Sequence, residues 1–130
     1  MRTVLMNYVD PDDATAYYTL SPEEQQADVD RHIAWFRRHA DHIGGGEELD
    51  EPARVKTLRP GRQGEGIVVT DGPYVEAKEL LGGFVILETD TLEEAVAIAS
   101  DWPSLTSQVN ATVQLHPVFV RRPSKPTLTI

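Results

Sequence analysis

The chain has 130 residues, no cysteine, and 12 Lys plus Arg against 21 Asp plus Glu, for a net charge of −9. That length suits one domain with a core that needs no disulfide or metal staple, and the missing cysteines exclude disulfide frameworks, cysteine-type zinc sites and thiol nucleophiles. The acidic balance argues against nucleic acid and anionic membrane as partners, since both are bound through basic patches. No apolar run approaches the ~18 residues that span a bilayer, and the opening MRTVLMNYVDPDD lacks the flanks of a signal peptide. The expectation is a soluble cytoplasmic protein.

Arg2–Val9 alternates apolar and polar residues and is rich in β-formers, which predicts a strand. The following DPDDATAYYTL carries a turn signal and reads as a loop. From Ser21 one long helix is predicted. Ser21 is a good N-cap, Pro22 suits the first helical position, Glu24 completes a capping box, and Gly44 supplies the stop. Val29, Ile33, Phe36, Ala40 and Ile43 form one apolar stripe on that helix, expected to face the core. EELDEPA reads as a polar connection. RVKTLR and EGIVVT read as a hairpin closed by PGRQG, and GGFVILET as a further strand. Leu92 onward is a second helix. Its cap is Thr91 or Asp90, its buried face Leu92, Ala95, Ala99 and Trp102, and Pro103 helps to stop it. NATVQLHPVFV is the last strand, with Pro117 pointing to an edge, a bulge or a strand end.

The order β-α-β-β-β-α-β predicts an α+β fold, an antiparallel sheet with two main helices on one face. The other face then needs a cover, and a second subunit is the usual one. Residues 1–120 make a single domain, with 121–130 as a polar, proline-bearing tail.

Few residues point to chemistry. His32 lies beside the apolar stripe, where a polar tip can meet an apolar body. Asp28, one turn earlier, gives it a purely local partner as well, so a structural reading stands beside the functional one. His32, Trp35, His39 and His42 are spaced 3, 4, 3. His32 and His39 lie about 10 Å apart along a helix axis, too far to share an ion, so the flank reads as solvated and no metal site is expected. Asp71-Gly72-Pro73 is a strong turn signal, with Gly72 pushed toward extended backbone by the proline. Asp71, Tyr74, Glu76 and Lys78 also set four polar or amphipathic groups in one loop, where sites concentrate. A turn and a cleft lining both fit. Gly82-Gly83 suits a close backbone approach or a bulge rather than phosphate binding. No nucleophile motif is present, and Ser104 and Ser107 read as ordinary loop serines.

The block Asp71-Gly72-Pro73, Glu76, Lys78, Glu79 and Leu81-Gly82-Gly83-Phe84 resembles the DGPF-domain, or YCII-related, family, with Tyr74 where the family usually has phenylalanine. The likeness extends over roughly residues 2–120. It implies a ferredoxin-like subunit that pairs with itself into a dimeric α/β barrel. It also implies a cleft for a small organic ligand and cofactor-free proton transfer, isomerisation or elimination. By the family's pattern His32 is the base or acid and Asp101 its orienting partner, with Asp71, Tyr74, Glu76 and Lys78 as substrate contacts. DGPF proteins are also associated with sigma factors, which implies an alternative, a non-catalytic accessory module. A structural dimer without ligand is the third possibility.

Overall fold

The computed structural model describes residues 1–74, 79–107 and 111–120. Four antiparallel strands form the main sheet in the order β2-β5-β1-β6: β1 (Arg2–Val9), β2 (Ile43–Glu48), β5 (Leu80–Glu88) and β6 (Ala111–Pro117). Helices α2 (Pro22–Arg38) and α3 (Leu92–Ala99) supply its cover, and a short α1 (Pro11–Tyr17) links β1 to α2. Strands β3 (Lys56–Pro60) and β4 (Ile67–Asp71) pair only with each other, so the predicted hairpin stands outside the main sheet. What remains after the hairpin is β-α-β-β-α-β with helices on one face, the ferredoxin-like arrangement.

Strand alternation decides which residues are inside. Thr3, Leu5, Val85 and Leu87 are buried, with Thr3 opposite Leu87 and Leu5 opposite Val85. They meet Ala95, Ile98 and Ala99 of α3, together with Trp35 and Trp102. The Thr3 hydroxyl has no hydrogen-bond partner among the described residues. Val4 opposite Ile86 and Met6 opposite Phe84 lie on the other face of the sheet.

Three expectations change. DPDDATAYYTL is not a loop: Asp10 caps α1 by accepting from the Asp12 N–H at 2.8 Å, and Pro11 presets its first turn. The long helix ends at Arg38 instead of running to Gly44. After a single 3-10 turn the chain enters β2, so Ile43-Gly44-Gly45-Gly46 is strand, not helix end. Glycine is required there because a Cβ on Gly46, at φ +154°, would stand 2.5 Å from the Phe84 carbonyl oxygen. The third change concerns the buried face of α2. Val29, Ile33 and Phe36 are 43%, 42% and 37% exposed, whereas Trp35 is fully buried. The face turned inward is the one carrying His32, Trp35 and His39, which the sequence suggested was solvated.

Thr91 caps α3, accepting from the Glu94 N–H at 3.1 Å, while Glu94 accepts from the Asp90 N–H at 3.1 Å. The cap half of the expected capping box is thus formed, while the return bond goes to the N–H of the residue before the cap. The register between β1 and β5 shifts at Asn7/Tyr8, opposite Gly82-Gly83, where a bulge was expected. Pro117 ends β6 at the sheet edge.

Candidate active site

The face of α2 that looks inward carries polar rings because each ring atom finds a partner across the interface. Trp35 donates its indole N–H to the Asp101 carboxylate at 2.9 Å and reaches the Ile98 carbonyl at 3.2 Å. Trp102, just after α3, donates to the Asn7 side chain at 3.0 Å and packs edge-on against Trp35, centroids 4.8 Å apart. His32 packs edge-on against the Trp102 indole at 4.9 Å. Aromatic rings crossed in this way are stabilised beyond the area they bury.

His32 is held at both ring nitrogens. Nδ1 lies 2.8 Å from the Asp28 carbonyl oxygen, one helical turn back, and Nε2 lies 3.0 Å from the Ser104 hydroxyl. A carbonyl only accepts, so Nδ1 carries the proton and donates it. Nε2 of the neutral ring is then the acceptor, and Ser104 Oγ–H donates to it. The Asp28 carboxylate also stands 3.7 Å from Nδ1. The His32 side chain is 22% exposed, enclosed but reachable.

The expected pairing of His32 with Asp101 is not formed. Asp101 takes His39 instead, with Nε2 at 3.0 and 3.3 Å from its two oxygens, and Arg38 at 2.9 Å. The reason is helical phase. His39 and Trp35 are four residues apart and stack at 5.0 Å, so both ring tips reach the end of α3, whereas His32 lies a turn further back over Ser104. Burial pushes the Asp101 carboxyl up. The hydrogen bonds from His39 and Trp35 and the charges of His39 and Arg38 outweigh it, so the net position is below the ordinary carboxylate value.

A cavity of about 280 Å³ opens beside the N-terminal half of α2, lined by Tyr17, Leu20, Glu24, Asp28, Arg31 and Thr106 among others. Asp28 joins it to the His32 side, and Arg31 is its cation, bonded to Asp28 at 3.0 Å. Burial raises the Tyr17 phenol above its usual value, and the charges of Asp28 and Glu48 add to this.

The Asp71 loop is built as a clasp. Asp71 ends β4 and pairs with Lys56 across the hairpin, its side chain 81% exposed. Gly72 is at φ +88°, a region that favours glycine, not the extended backbone expected before a proline. Its N–H donates to the Val55 carbonyl and its carbonyl accepts from the Thr57 hydroxyl, both at 2.7 Å. Arg59 lies over the Tyr74 ring at 4.8 Å. Glu76 and Lys78 lie outside the described residues.

Ser104 was passed over in the sequence because its neighbourhood has no motif. His39 was visible in the 3, 4, 3 spacing, but only the position of Asp101 gives it a partner.

Residues 1–118 match the YCII-related domain family. No curated protein matches the sequence. Among solved structures the fold is similar to that of 5-chloro-2-hydroxyhydroquinone dehydrochlorinase (TftG) from Burkholderia phenoliruptrix AC1100, in complex with 2,5-dihydroxybenzoquinone. The TM-score is 0.52 at 14% identity, over 92% of this chain and 94% of that one.

Proposed function

The chain belongs to the YCII-related family, and on that premise we propose that it binds a small hydroxylated organic molecule and moves a proton on it without a cofactor. His32 is the acid–base group. The observation that carries the reading is the Nδ1–H bond to the Asp28 carbonyl, which commits the ring to one tautomer and turns the lone pair of Nε2 away from the helix. A base so oriented, with a carboxylate 3.7 Å from its protonated nitrogen, suits general acid–base catalysis. In this reading the orienting role passes from Asp101 to Asp28. Asp101 with His39 instead ties the end of α2 to the end of α3. Asp71 and Tyr74 enter as substrate contacts, which requires their pairings with Lys56 and Arg59 to open.

The Burkholderia protein, of similar fold, was solved with 2,5-dihydroxybenzoquinone, so that compound is the first probe. Titrating it into 15N-labelled protein should shift the His32 ring resonances saturably, with tighter binding in the wild type than in His32→Gln. Ring signals of His32 that stay in place while the probe is in large excess refute the assignment. The unpaired sheet face, Val4, Met6, Phe84 and Ile86, is the surface on which we place a second copy of the chain.

A further inference from the structure

From the pairing of Ser104 with His32 we infer that Ser104 is a nucleophile for acyl transfer, so that the site hydrolyses small esters of neutral or cationic acids. The inference rests on reading His32 as the base, and it adds a covalent step which that reading does not contain.

The geometry has the three parts that an activated serine needs. The hydroxyl is 3.0 Å from Nε2, within reach for proton transfer. The base is oriented by a third group, here the Asp28 carbonyl on Nδ1 with the Asp28 carboxylate behind it. A cavity lies nearby, lined not by the pair itself but by Asp28, one turn before His32, and by Thr106 and Ser107, just beyond Ser104 in the chain, and in this proposal it takes the acyl group. Ser104 lies in a 3-10 turn, Pro103–Leu105, that begins next to the buried Trp102. The sequence context resembles no serine-hydrolase motif, so the pairing is visible only in three dimensions: His32 and Ser104 are 72 residues apart.

The proton and bond accounting is complete within these groups and water. Ser104 Oγ attacks the ester carbonyl carbon while His32 Nε2 takes the hydroxyl proton. The tetrahedral oxyanion collapses, the carbonyl–alkoxy bond breaks, and the imidazolium returns the proton to the departing alcohol. Water then attacks the acyl-Ser104 carbonyl, with His32 again taking and returning one proton, and the carboxylic acid leaves. No metal, oxidant or reductant is consumed. Arg31 is the cation lining the cavity, and Glu24 and Asp28 make its rim acidic. An anionic acyl group is therefore disfavoured, and neutral or cationic esters are the substrate class.

The probe is diisopropyl fluorophosphate, a neutral phosphorylating agent that reports nucleophilic serines directly. Oγ gives its proton to His32 Nε2 as the P–O bond forms, the P–F bond breaks, and fluoride leaves. Intact-mass and peptide mapping of the wild-type protein should find one adduct, on Ser104. S104A should take up none, and H32Q should label at least ~100-fold more slowly, the lower range of general-base contributions. Mapping in the wild type needs no variant to fold. Absence of an adduct, or an adduct confined to Tyr17 or Ser107, overturns the proposal, and wild-type labelling in folded H32Q overturns His32 as its base. If labelling fails while 2,5-dihydroxybenzoquinone still shifts the His32 ring, only the nucleophile is wrong and the proton-transfer reading stands.

Discussion

Replacing Asp101 by asparagine tests the tie between α2 and α3 most directly. Asparagine keeps the side-chain volume and one oxygen, so Trp35 retains an acceptor at Oδ1 and its second contact to the Ile98 carbonyl. What is lost is the charge, together with the acceptor at Oδ2 that Arg38 meets at 2.9 Å. Hydrogen bonds to charged groups contribute about 1.5–3 kcal/mol and neutral ones about 0.5–1.5, a difference of roughly 1 kcal/mol for each of the Trp35 and His39 bonds. The Asp101 side chain is 45% exposed, so solvent screens part of this, and the Arg38 pair adds little at the surface. The expected destabilisation is therefore about 1 kcal/mol at neutral pH, or a fall in Tm of about 4 °C for a domain of this size. The pH dependence has a definite sign. The folded Asp101 carboxyl lies below its ordinary value, so its contribution is present above the unfolded carboxylate pKa of ~3.9 and is lost as pH falls through the lower folded value. Urea unfolding followed by tryptophan fluorescence at pH 7, and again at successively lower pH, reads this, since both indoles lie in the affected cluster. A wild-type-to-variant difference that stays constant through the acid range refutes the argument. So does a variant as stable as wild type at pH 7.

Thr3→Val should stabilise the protein by about 1 kcal/mol in the same urea assay, because it replaces a buried hydroxyl that lacks a partner among the described residues with an isosteric methyl. Gly46→Ala should cost about 1–3 kcal/mol, since its Cβ would stand 2.5 Å from the Phe84 carbonyl and force β2 off β5; an unchanged midpoint would show that the edge strand shifts freely. Met6→Glu places a charge on the unpaired sheet face and should reduce the mass seen by light scattering to the 14.5 kDa of one chain. A wild type already monomeric at micromolar concentration would remove the proposed second copy.

The Ser21 and Thr91 caps, the β1 alternation, the hairpin strands and the stop at Pro117 were legible in the sequence. They are local rules: a cap or a two-residue period is complete within a few positions. The family block around Asp71 and Gly82-Gly83 was legible for the same reason, as fixed residue types at fixed spacing. The phase of α2 was not. Its apolar stripe and its histidine-tryptophan stripe are adjacent, and hydrophobicity alone selects Val29, Ile33 and Phe36 for the core. The fold selects Trp35 instead, because Asp101, Ile98 and Ser104 meet the polar tips of that face. A buried ring nitrogen costs little when its hydrogen-bond partner is in place, and those partners come from residues more than 60 positions away in the chain. The same separation hid the site. The family resemblance could name His32 and Asp101 as chemistry-bearing residues, but only the packing of α2 on the end of α3 decided that Asp101 meets His39 and that His32 meets Ser104.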